Sequence, residues 1–129
     1  MPAALPHVLV AEDNANAGNA MRVLYEETGH RVTLASTIAQ TVTTCVEDPV
    51  ALLLLDLGLA DGDGLEALAQ LRARDAMPRV TVALTGREAT DVRERCMAAG
   101  CRDVLTKPVP ARDLLRMTRE WLAPARPAD

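Results

Sequence analysis

The chain has 129 residues, of which 49% are hydrophobic and 25% charged, and its formal net charge is −4 at pH 7. This size and mixture predict a single globular domain over 1–129, with a core over about 5–122 and a tail or the start of a linker over 123–129. The mildly acidic balance, without any block of Lys or Arg, argues against direct binding to nucleic acid.

Residues 1–6 lack both the basic and the long apolar segment of a signal peptide. No apolar run is long enough to span a membrane, so we expect a cytoplasmic protein without membrane contact. The three cysteines form no Cys-x-x-Cys pair, which predicts free, buried thiols in a reducing compartment. His7 and His30 stand at the edges of predicted elements, which favours surface or turn roles.

Five short apolar runs are typical of β-strands. They cover residues 7–11, 31–35, 50–56, 79–84 and 103–106. The third run has six apolar residues in a row before Asp56, which is typical of a strand buried on both faces. In the second run, Val32 and Leu34 alternate with polar neighbours, which favours a strand at the edge of a sheet.

The segments between and after these runs have apolar residues at helical spacing. They predict helices over about 15–28, 36–47, 64–74, 89–99 and 110–122. Asn14 is a suitable N-cap for the first helix, and Gly29 is a suitable residue to end it. Ser36 or Thr37 can cap the second helix, whose threonines make it a weak helix former.

Strands that alternate with helices predict a parallel sheet, covered by helices on both faces and joined by right-handed crossovers. A dinucleotide-binding fold would need Gly-x-Gly-x-x-Gly after the first strand, where this chain has Glu12, Asp13 and Asn14. The pattern therefore favours a compact, doubly wound, flavodoxin-like α/β fold with five parallel strands in the order 2-1-3-4-5.

Polar residues end or directly follow four of the predicted strands. Because parallel strands end at the same edge of a sheet, these residues are expected to meet there although they are far apart in sequence. They are Glu12, Asp13, Asp56, Thr85 and Lys107. Taken alone, Asp56 could equally cap the next helix or begin a turn, and it is the other four residues that favour a shared site.

Three carboxylates at one edge repel each other, so either some of their pKa values rise or a cation binds. Oxygen ligands without nearby Cys or His favour a hard ion, and few ligands favour Mg²⁺ over Ca²⁺. With Mg²⁺ bound, Asp56 could attack a phosphoryl group, with Lys107 neutralising its oxygens and Thr85 donating a hydrogen bond. Lys107 is the only lysine among 14 basic residues. This favours a lysine retained as a compact positive charge for binding phosphate over a lysine that is present by chance.

Five short motifs, in this order, resemble the receiver domain of bacterial two-component response regulators. They are VLVAEDN over 8–14, LLD over 54–56, DG over 63–64, LTG over 84–86 and LTKP over 105–108. Each motif is weak alone, whereas their joint order and spacing are specific. The resemblance covers nearly the whole chain, from about Leu5 to Leu122.

The resemblance implies that Asp56 is the phosphoacceptor, which receives its phosphoryl group from a sensor histidine kinase or a phosphotransfer protein. It also implies that Asp13 and Asp56 bind Mg²⁺ directly, that Glu12 binds it through water, and that Gly58 offers its backbone carbonyl. Self-phosphorylation and autodephosphorylation at Asp56 would be the only chemistry, so the chain is not expected to be a conventional enzyme.

Lys107 is implied to pair with the phosphoryl oxygens, Thr85 to move towards them, and the Lys107–Pro108 peptide bond to be cis. Two positions depart from the family pattern. Val104 stands where Tyr or Phe is usual, which argues against the usual threonine–aromatic switch. Ala60 stands where proline is common, which would loosen the loop after the phosphoacceptor.

The resemblance leaves open whether the chain is a free-standing receiver or the receiver segment of a hybrid sensor histidine kinase. An aspartyl-phosphate phosphatase would normally need a second Asp two residues after the nucleophile, and Asp56-Leu57-Gly58 lacks it. That enzyme class is therefore the weaker alternative. The face formed by residues 88–122 is the expected docking surface for an unknown downstream protein.

Overall fold

The computed structural model describes residues 5–86 and 90–123 of the chain. In this part it contains, in order, β1 (His7–Ala11), α1 (Ala15–Glu27), β2 (Arg31–Ala35), α2 (Ile38–Glu47), β3 (Leu52–Asp56), β4 (Gly58–Leu59), β5 (Gly62–Asp63), α3 (Leu65–Ala73), β6 (Val80–Thr85), α4 (Thr90–Ala98), β7 (Asp103–Thr106) and α5 (Ala111–Trp121). The five predicted strands and five predicted helices are all present. The predicted helix start at residue 89 and residues 124–129 of the predicted tail lie outside the described residues.

Five strands form one parallel sheet in the order β2-β1-β3-β6-β7. This is the predicted 2-1-3-4-5 order with β2 at the edge, so the flavodoxin-like fold is confirmed. The strands β4 and β5 pair with each other as an antiparallel hairpin directly after β3. The Gly/Asp-rich sequence there predicts only a loop, because strands of two residues carry no periodic pattern.

The sheet has an apolar core on each face, and β3 contributes to both. Leu53 and Leu55 belong to the core beneath α2, α3 and α4, whereas Leu52 and Leu54 belong to the core beneath α1 and α5. All four leucines are fully buried. Each buried leucine stabilises the fold by about 1.5–3 kcal/mol. A shift of β3 along the sheet would move these side chains out of the two cores, so their packing fixes where the strand ends. That end is Asp56.

The predicted helix-end signals are confirmed. The Asn14 side chain accepts a hydrogen bond from the Ala17 N–H at 2.9 Å, and the Thr37 hydroxyl accepts one from the Gln40 N–H at 3.0 Å. Gly29 follows α1 with a φ of +89°, in the left-handed region that favours glycine. The three cysteines are free and buried, as predicted.

His7 is buried, so the prediction of a surface or turn role is wrong for this residue. Only 3% of it is exposed. Its Nε2 atom lies 2.7 Å from Thr33 Oγ1, and its Nδ1 atom lies 3.1 Å from the Pro49 carbonyl oxygen. Partners in β2 and in the loop before β3 therefore satisfy both ring nitrogens, which lets the imidazole lie inside the fold.

Candidate functional site

The carboxyl ends of four parallel strands bring the predicted site residues to one edge of the sheet. Glu12 and Asp13 directly follow β1, and Asp56 is the last residue of β3. Thr85 is the last residue of β6, and Lys107 directly follows β7. Adjacent strands remain paired up to their last residues, so these ends lie side by side.

Lys107 joins two of the carboxylates. Its Nζ atom lies 2.7 Å from Asp56 Oδ2 and 3.0 Å from Glu12 Oε2. Both acidic residues are buried, with 8% of Asp56 and 7% of Glu12 exposed, whereas 34% of the lysine side chain is exposed. One ammonium group therefore faces two acids in a partly dehydrated place, where charges interact more strongly than in bulk water.

Asp13 completes an acidic cluster. One carboxylate oxygen each from Glu12, Asp13 and Asp56 lies within 4.8 Å of the other two. Asp13 is exposed, so the cluster opens to solvent on its side. Because the donor atoms are all oxygens and the ligands are few, the residues fit a hard divalent cation such as Mg²⁺.

Glu12, Asp56 and Lys107, of which the two acids are buried and the lysine is partly exposed, shift one another's pKa values. Burial raises the pKa of Glu12 above its ordinary 4.5, and its hydrogen bond with Asp56 raises it further. Burial also acts to raise the pKa of Asp56, but hydrogen bonds with Glu12 and Lys107 outweigh burial and lower it. Burial acts to lower the pKa of Lys107, but its hydrogen bonds to the two acids raise it overall. Glu12 thus takes up a proton more readily than Asp56, which keeps the ionised form that a nucleophile requires.

The loop after β3 is shaped around Asp56. The Gly58 N–H donates to Asp56 Oδ1 at 3.0 Å, so a donor from the protein contacts each oxygen of this carboxylate. At Gly64 a Cβ atom would lie 2.5 Å from the Asp56 carbonyl oxygen, so only glycine fits there without a shift. The Gly64 N–H donates to the Leu57 carbonyl oxygen at 2.8 Å, which turns the loop back over the end of β3.

Backbone contacts set the position of Lys107. Its N–H donates to the Thr85 carbonyl oxygen at 2.8 Å, which links the ends of β6 and β7. The Lys107–Pro108 peptide bond is cis, as the resemblance implied. Thr85 is buried at the same edge of the sheet, with 9% of it exposed.

The position of the usual switch aromatic is occupied by Val104, which is half-buried in β7 and packs on the core beneath α2, α3 and α4. The chain has one Tyr, one Trp and no Phe. Tyr25 and Trp121 both belong to the core on the opposite face of the sheet. In the described part of the chain, therefore, no aromatic side chain stands on the Val104 side of β7.

Sequence patterns missed the contacts that hold the loop between β4 and β5. The Asp61 Oδ1 atom accepts a hydrogen bond from the Ile38 N–H at 2.7 Å. The Ala60 N–H, which a proline would lack, donates to the Ser36 carbonyl oxygen at 3.2 Å. The Ala60 N–H thus ties the loop to the segment just before α2. Asp-Gly dipeptides signalled a turn here, but no local pattern indicates a tertiary contact.

Comparison with known proteins agrees with this geometry. A family model described as the response regulator receiver domain matches residues 8–119. The chain belongs to this family. Receiver domains are signalling phosphoacceptors of two-component systems rather than conventional enzymes. The matched range of this receiver domain includes the acidic cluster and Lys107.

Two relatives of this receiver domain are transcriptional regulators of Escherichia coli strain K12. The KDP operon transcriptional regulatory protein KdpE is 32% identical over 104 residues, which are 81% of this chain and 45% of the relative. The transcriptional regulatory protein PhoP is 34% identical over 101 residues, which are 78% of this chain and 45% of the relative. This receiver domain therefore spans about half the length of the curated relatives it matches.

Solved receiver domains have the same fold. A CheY-like receiver domain protein from Methanospirillum hungatei is 26% identical, with a TM-score of 0.83 over 92% of this chain and 94% of the other. The receiver domain of a sensor histidine kinase from Pseudomonas aeruginosa is 29% identical, with a TM-score of 0.81 over 94% of this chain and all of the other. In that structure a magnesium ion is coordinated in the active-site cleft. None of the helices described in the present chain is long and apolar enough to cross a bilayer.

Proposed function

We propose that this receiver domain accepts a phosphoryl group on Asp56 from a sensor histidine kinase or a phosphotransfer protein, with Mg²⁺, in the cytoplasm. The observation that carries the proposal is the Lys107 ammonium group, which lies within 3.0 Å of both Asp56 and Glu12. A positive charge that already contacts Asp56 is well placed to bind the oxygens of a phosphoryl group attached to it.

In the proposed reaction, an oxygen of Asp56 forms a bond to phosphorus while the bond from phosphorus to the histidine nitrogen of the donor breaks. The lowered pKa of Asp56 keeps its carboxylate ionised, so no proton has to leave before the attack. Lys107 neutralises the charge on the transferred phosphoryl oxygens, and the Thr85 hydroxyl donates a hydrogen bond to one of them.

We assign the metal ligands to the acidic cluster. Asp13 and Asp56 would bind Mg²⁺ directly, Glu12 through water, and Gly58 through its backbone carbonyl. The three carboxylate oxygens that lie within 4.8 Å of one another support this assignment, as does the magnesium ion in the P. aeruginosa relative. When bound, Mg²⁺ supplies positive charge that stabilises the phosphoryl oxygens in the transition state.

We further propose that phosphorylation changes the binding of a downstream protein to the face formed by residues 88–122, whose described part comprises α4, β7 and α5. Because Val104 replaces the usual aromatic residue, the signal would pass from Thr85 to α4 through the backbone between them. The proposed partner is a protein, and the domain itself is not proposed to contact nucleic acid or a membrane.

Different relatives support two kinds of longer protein as the one to which this domain belongs. Identity of 32% and 34% to KdpE and PhoP supports a place in a transcriptional regulator. Identity of 29% to the receiver domain of a sensor histidine kinase supports the alternative of a hybrid kinase. The reading frame around the coding sequence distinguishes the two, because a DNA-binding domain favours the first and a kinase core favours the second.

Phosphotransfer profiling tests the proposal. Sensor kinases of the same organism are autophosphorylated with labelled ATP and mixed briefly with the receiver domain and Mg²⁺. We expect rapid label transfer from at least one kinase to the wild type and to Glu66→Gln, which changes an exposed acid in the next helix. We expect none to Asp56→Asn. Absence of transfer from every kinase, or equal labelling of Asp56→Asn, would contradict the proposal.

A further inference from the structure

The hairpin formed by β4 and β5 carries the backbone that contacts Asp56. Gly58 pairs with Asp63 and Leu59 pairs with Gly62, so Ala60 and Asp61 form the tip. Gly58, at the base, donates its N–H to Asp56 Oδ1 at 3.0 Å. The orientation of the hairpin therefore sets where the Gly58 backbone lies relative to the phosphoacceptor.

The tip of the hairpin is docked on the N-terminus of α2. The Ile38 N–H donates to Asp61 Oδ1 at 2.7 Å, and the Ala60 N–H donates to the Ser36 carbonyl oxygen at 3.2 Å. Gly62 packs closely as well, because a Cβ atom there would lie 3.3 Å from Ile38 Cδ1. Two hydrogen bonds thus join the hairpin to Ile38, the first residue of α2, and to Ser36 just before the helix, and neither residue belongs to the acidic cluster.

Asp61 satisfies a donor that α2 cannot satisfy by itself. The first N–H groups of a helix lack partners within the helix, and an acidic side chain there also interacts favourably with the helix dipole. Thr37 caps the Gln40 N–H, but the Ile38 N–H is bonded to Asp61, 23 residues further along the chain. The same hydrogen bond therefore caps the helix and fixes the hairpin.

We propose that Asp61 is a positioning residue of the metal site, which holds the hairpin against α2 so that the Gly58 backbone stays beside Asp56. The inference rests on the proposed function, in which the Gly58 carbonyl binds Mg²⁺. When Asp61 cannot bond to Ile38, the hairpin spends part of its time undocked. Only the docked fraction offers the complete ligand set, so the apparent affinity for Mg²⁺ falls in proportion.

The test compares three variants with the wild type by calorimetric titration with Mg²⁺. Asp61→Ala removes the acceptor, and we expect its Kd for Mg²⁺ to rise by about threefold to tenfold. Asp61→Asn removes the charge but keeps an oxygen that accepts from Ile38, so its Kd should stay close to that of the wild type. Thr37→Ala weakens the same helix end without touching the hairpin, and its Kd should also be unchanged.

A second readout needs no metal. In spectra of ¹⁵N-labelled protein without Mg²⁺, the Gly58 amide resonance should shift in Asp61→Ala and remain in place in Asp61→Asn and Thr37→Ala. These spectra also show whether each variant is folded. A wild type that binds no Mg²⁺ would refute the proposed metal site, and the Gly58 resonance would then decide alone whether Asp61 positions the loop.

Three results would overturn the positioning role. The first is an Asp61→Ala variant with an unmoved Gly58 resonance and a Kd within about twofold of the wild type. The second is a Thr37→Ala variant that loses as much affinity as Asp61→Ala, because stability of the helix would then explain the effect. The third is an Asp61→Asn variant that behaves like Asp61→Ala, because long-range charge would then be the cause.

Discussion

The two ends of the parallel sheet carry polar side chains in opposite arrangements. At the amino end, Arg31 donates to both carboxylate oxygens of Asp48 at 2.6 and 3.2 Å, and both ring nitrogens of the buried His7 have partners. At the carboxyl end, the single ammonium group of Lys107 contacts two buried acids, Glu12 and Asp56. A carboxylate oxygen of Asp13 lies within 4.8 Å of one oxygen of each of these acids.

The difference separates a polar cluster whose opposite charges are matched from one in which acidic groups outnumber basic ones. The hydrogen bond from Arg31 lowers the pKa of Asp48, and the opposite charges at the amino end are matched one to one. At the carboxyl end, burial raises the pKa of Glu12 by removing its carboxylate from water, and the neighbouring Asp56 raises it further. Three carboxylates and one ammonium group lie together there, so a bound divalent cation would offset the excess of negative charge, whereas Arg31 and Asp48 at the amino end already match each other.

The largest expected effect is that of removing the positive charge at the carboxyl end. We expect Lys107→Met to slow phosphotransfer to Asp56 by about 10²-fold, because the transferred oxygens lose a charged partner in a partly dehydrated site. Single-turnover labelling from a phosphorylated kinase measures this rate. Arg116→Met, which changes an exposed cation on α5, serves as the control and should transfer at the wild-type rate. If Lys107→Met transferred the phosphoryl group as fast as this control, the ion pairs of Lys107 with Asp56 and Glu12 would have only a structural role.

Metal binding should stabilise the fold only through the acidic cluster at the carboxyl end of the sheet. At free Mg²⁺ of about 100 times Kd, we expect the free energy of unfolding to rise by about 2.7 kcal/mol. Urea denaturation with and without Mg²⁺ measures this difference. Asp13→Asn should lose most of the increase, whereas Asp48→Asn, at the amino end, should keep it. An equal loss in both variants would mean that Mg²⁺ acts on general surface charge.

The polar cluster at the amino end of the sheet should contribute to the stability of the fold and not to phosphotransfer. Thr33→Val leaves the Nε2 atom of buried His7 without its partner, so we expect a loss of about 1–3 kcal/mol in the free energy of unfolding. Thr43→Val, on an exposed part of α2, should change it by no more than about 0.5 kcal/mol. Neither variant should alter the affinity for Mg²⁺. A changed affinity in Thr33→Val would show that the two ends are coupled.

The smallest effect expected is a change in how stability depends on pH without Mg²⁺. The pKa of Glu12 in the folded state lies above its ordinary 4.5, so the folded protein binds this proton more tightly than the unfolded chain does. Stability from Glu12 is therefore complete below that ordinary value and is lost as pH rises through the raised pKa. Glu12→Gln cannot titrate at this position, so its stability relative to the wild type should increase as pH rises from below 4.5 through the raised pKa of Glu12. A constant or falling difference in urea denaturation would contradict the shift.

The parts of the molecule that could be predicted from sequence depend on local patterns. The apolar run before Asp56 predicted a buried strand, and the alternation of strands and helices predicted which strand ends meet. The hairpin and its hydrogen bond from Ile38 to Asp61 were missed, because the two residues are 23 positions apart and the strands have two residues each. Burial of His7 was missed for the same physical reason, since Thr33 and Pro49 reach it only through the tertiary fold.

The most direct test of the central claim is labelling of the purified domain by a small phosphodonor such as acetyl phosphate, followed by peptide mass analysis. We predict that one phosphoryl group is added at Asp56, that the labelling requires Mg²⁺ and is lost with a chelator, and that Asp48→Asn is labelled like the wild type. No labelling of the folded wild type with Mg²⁺, or labelling that persists in Asp56→Asn, would contradict the account.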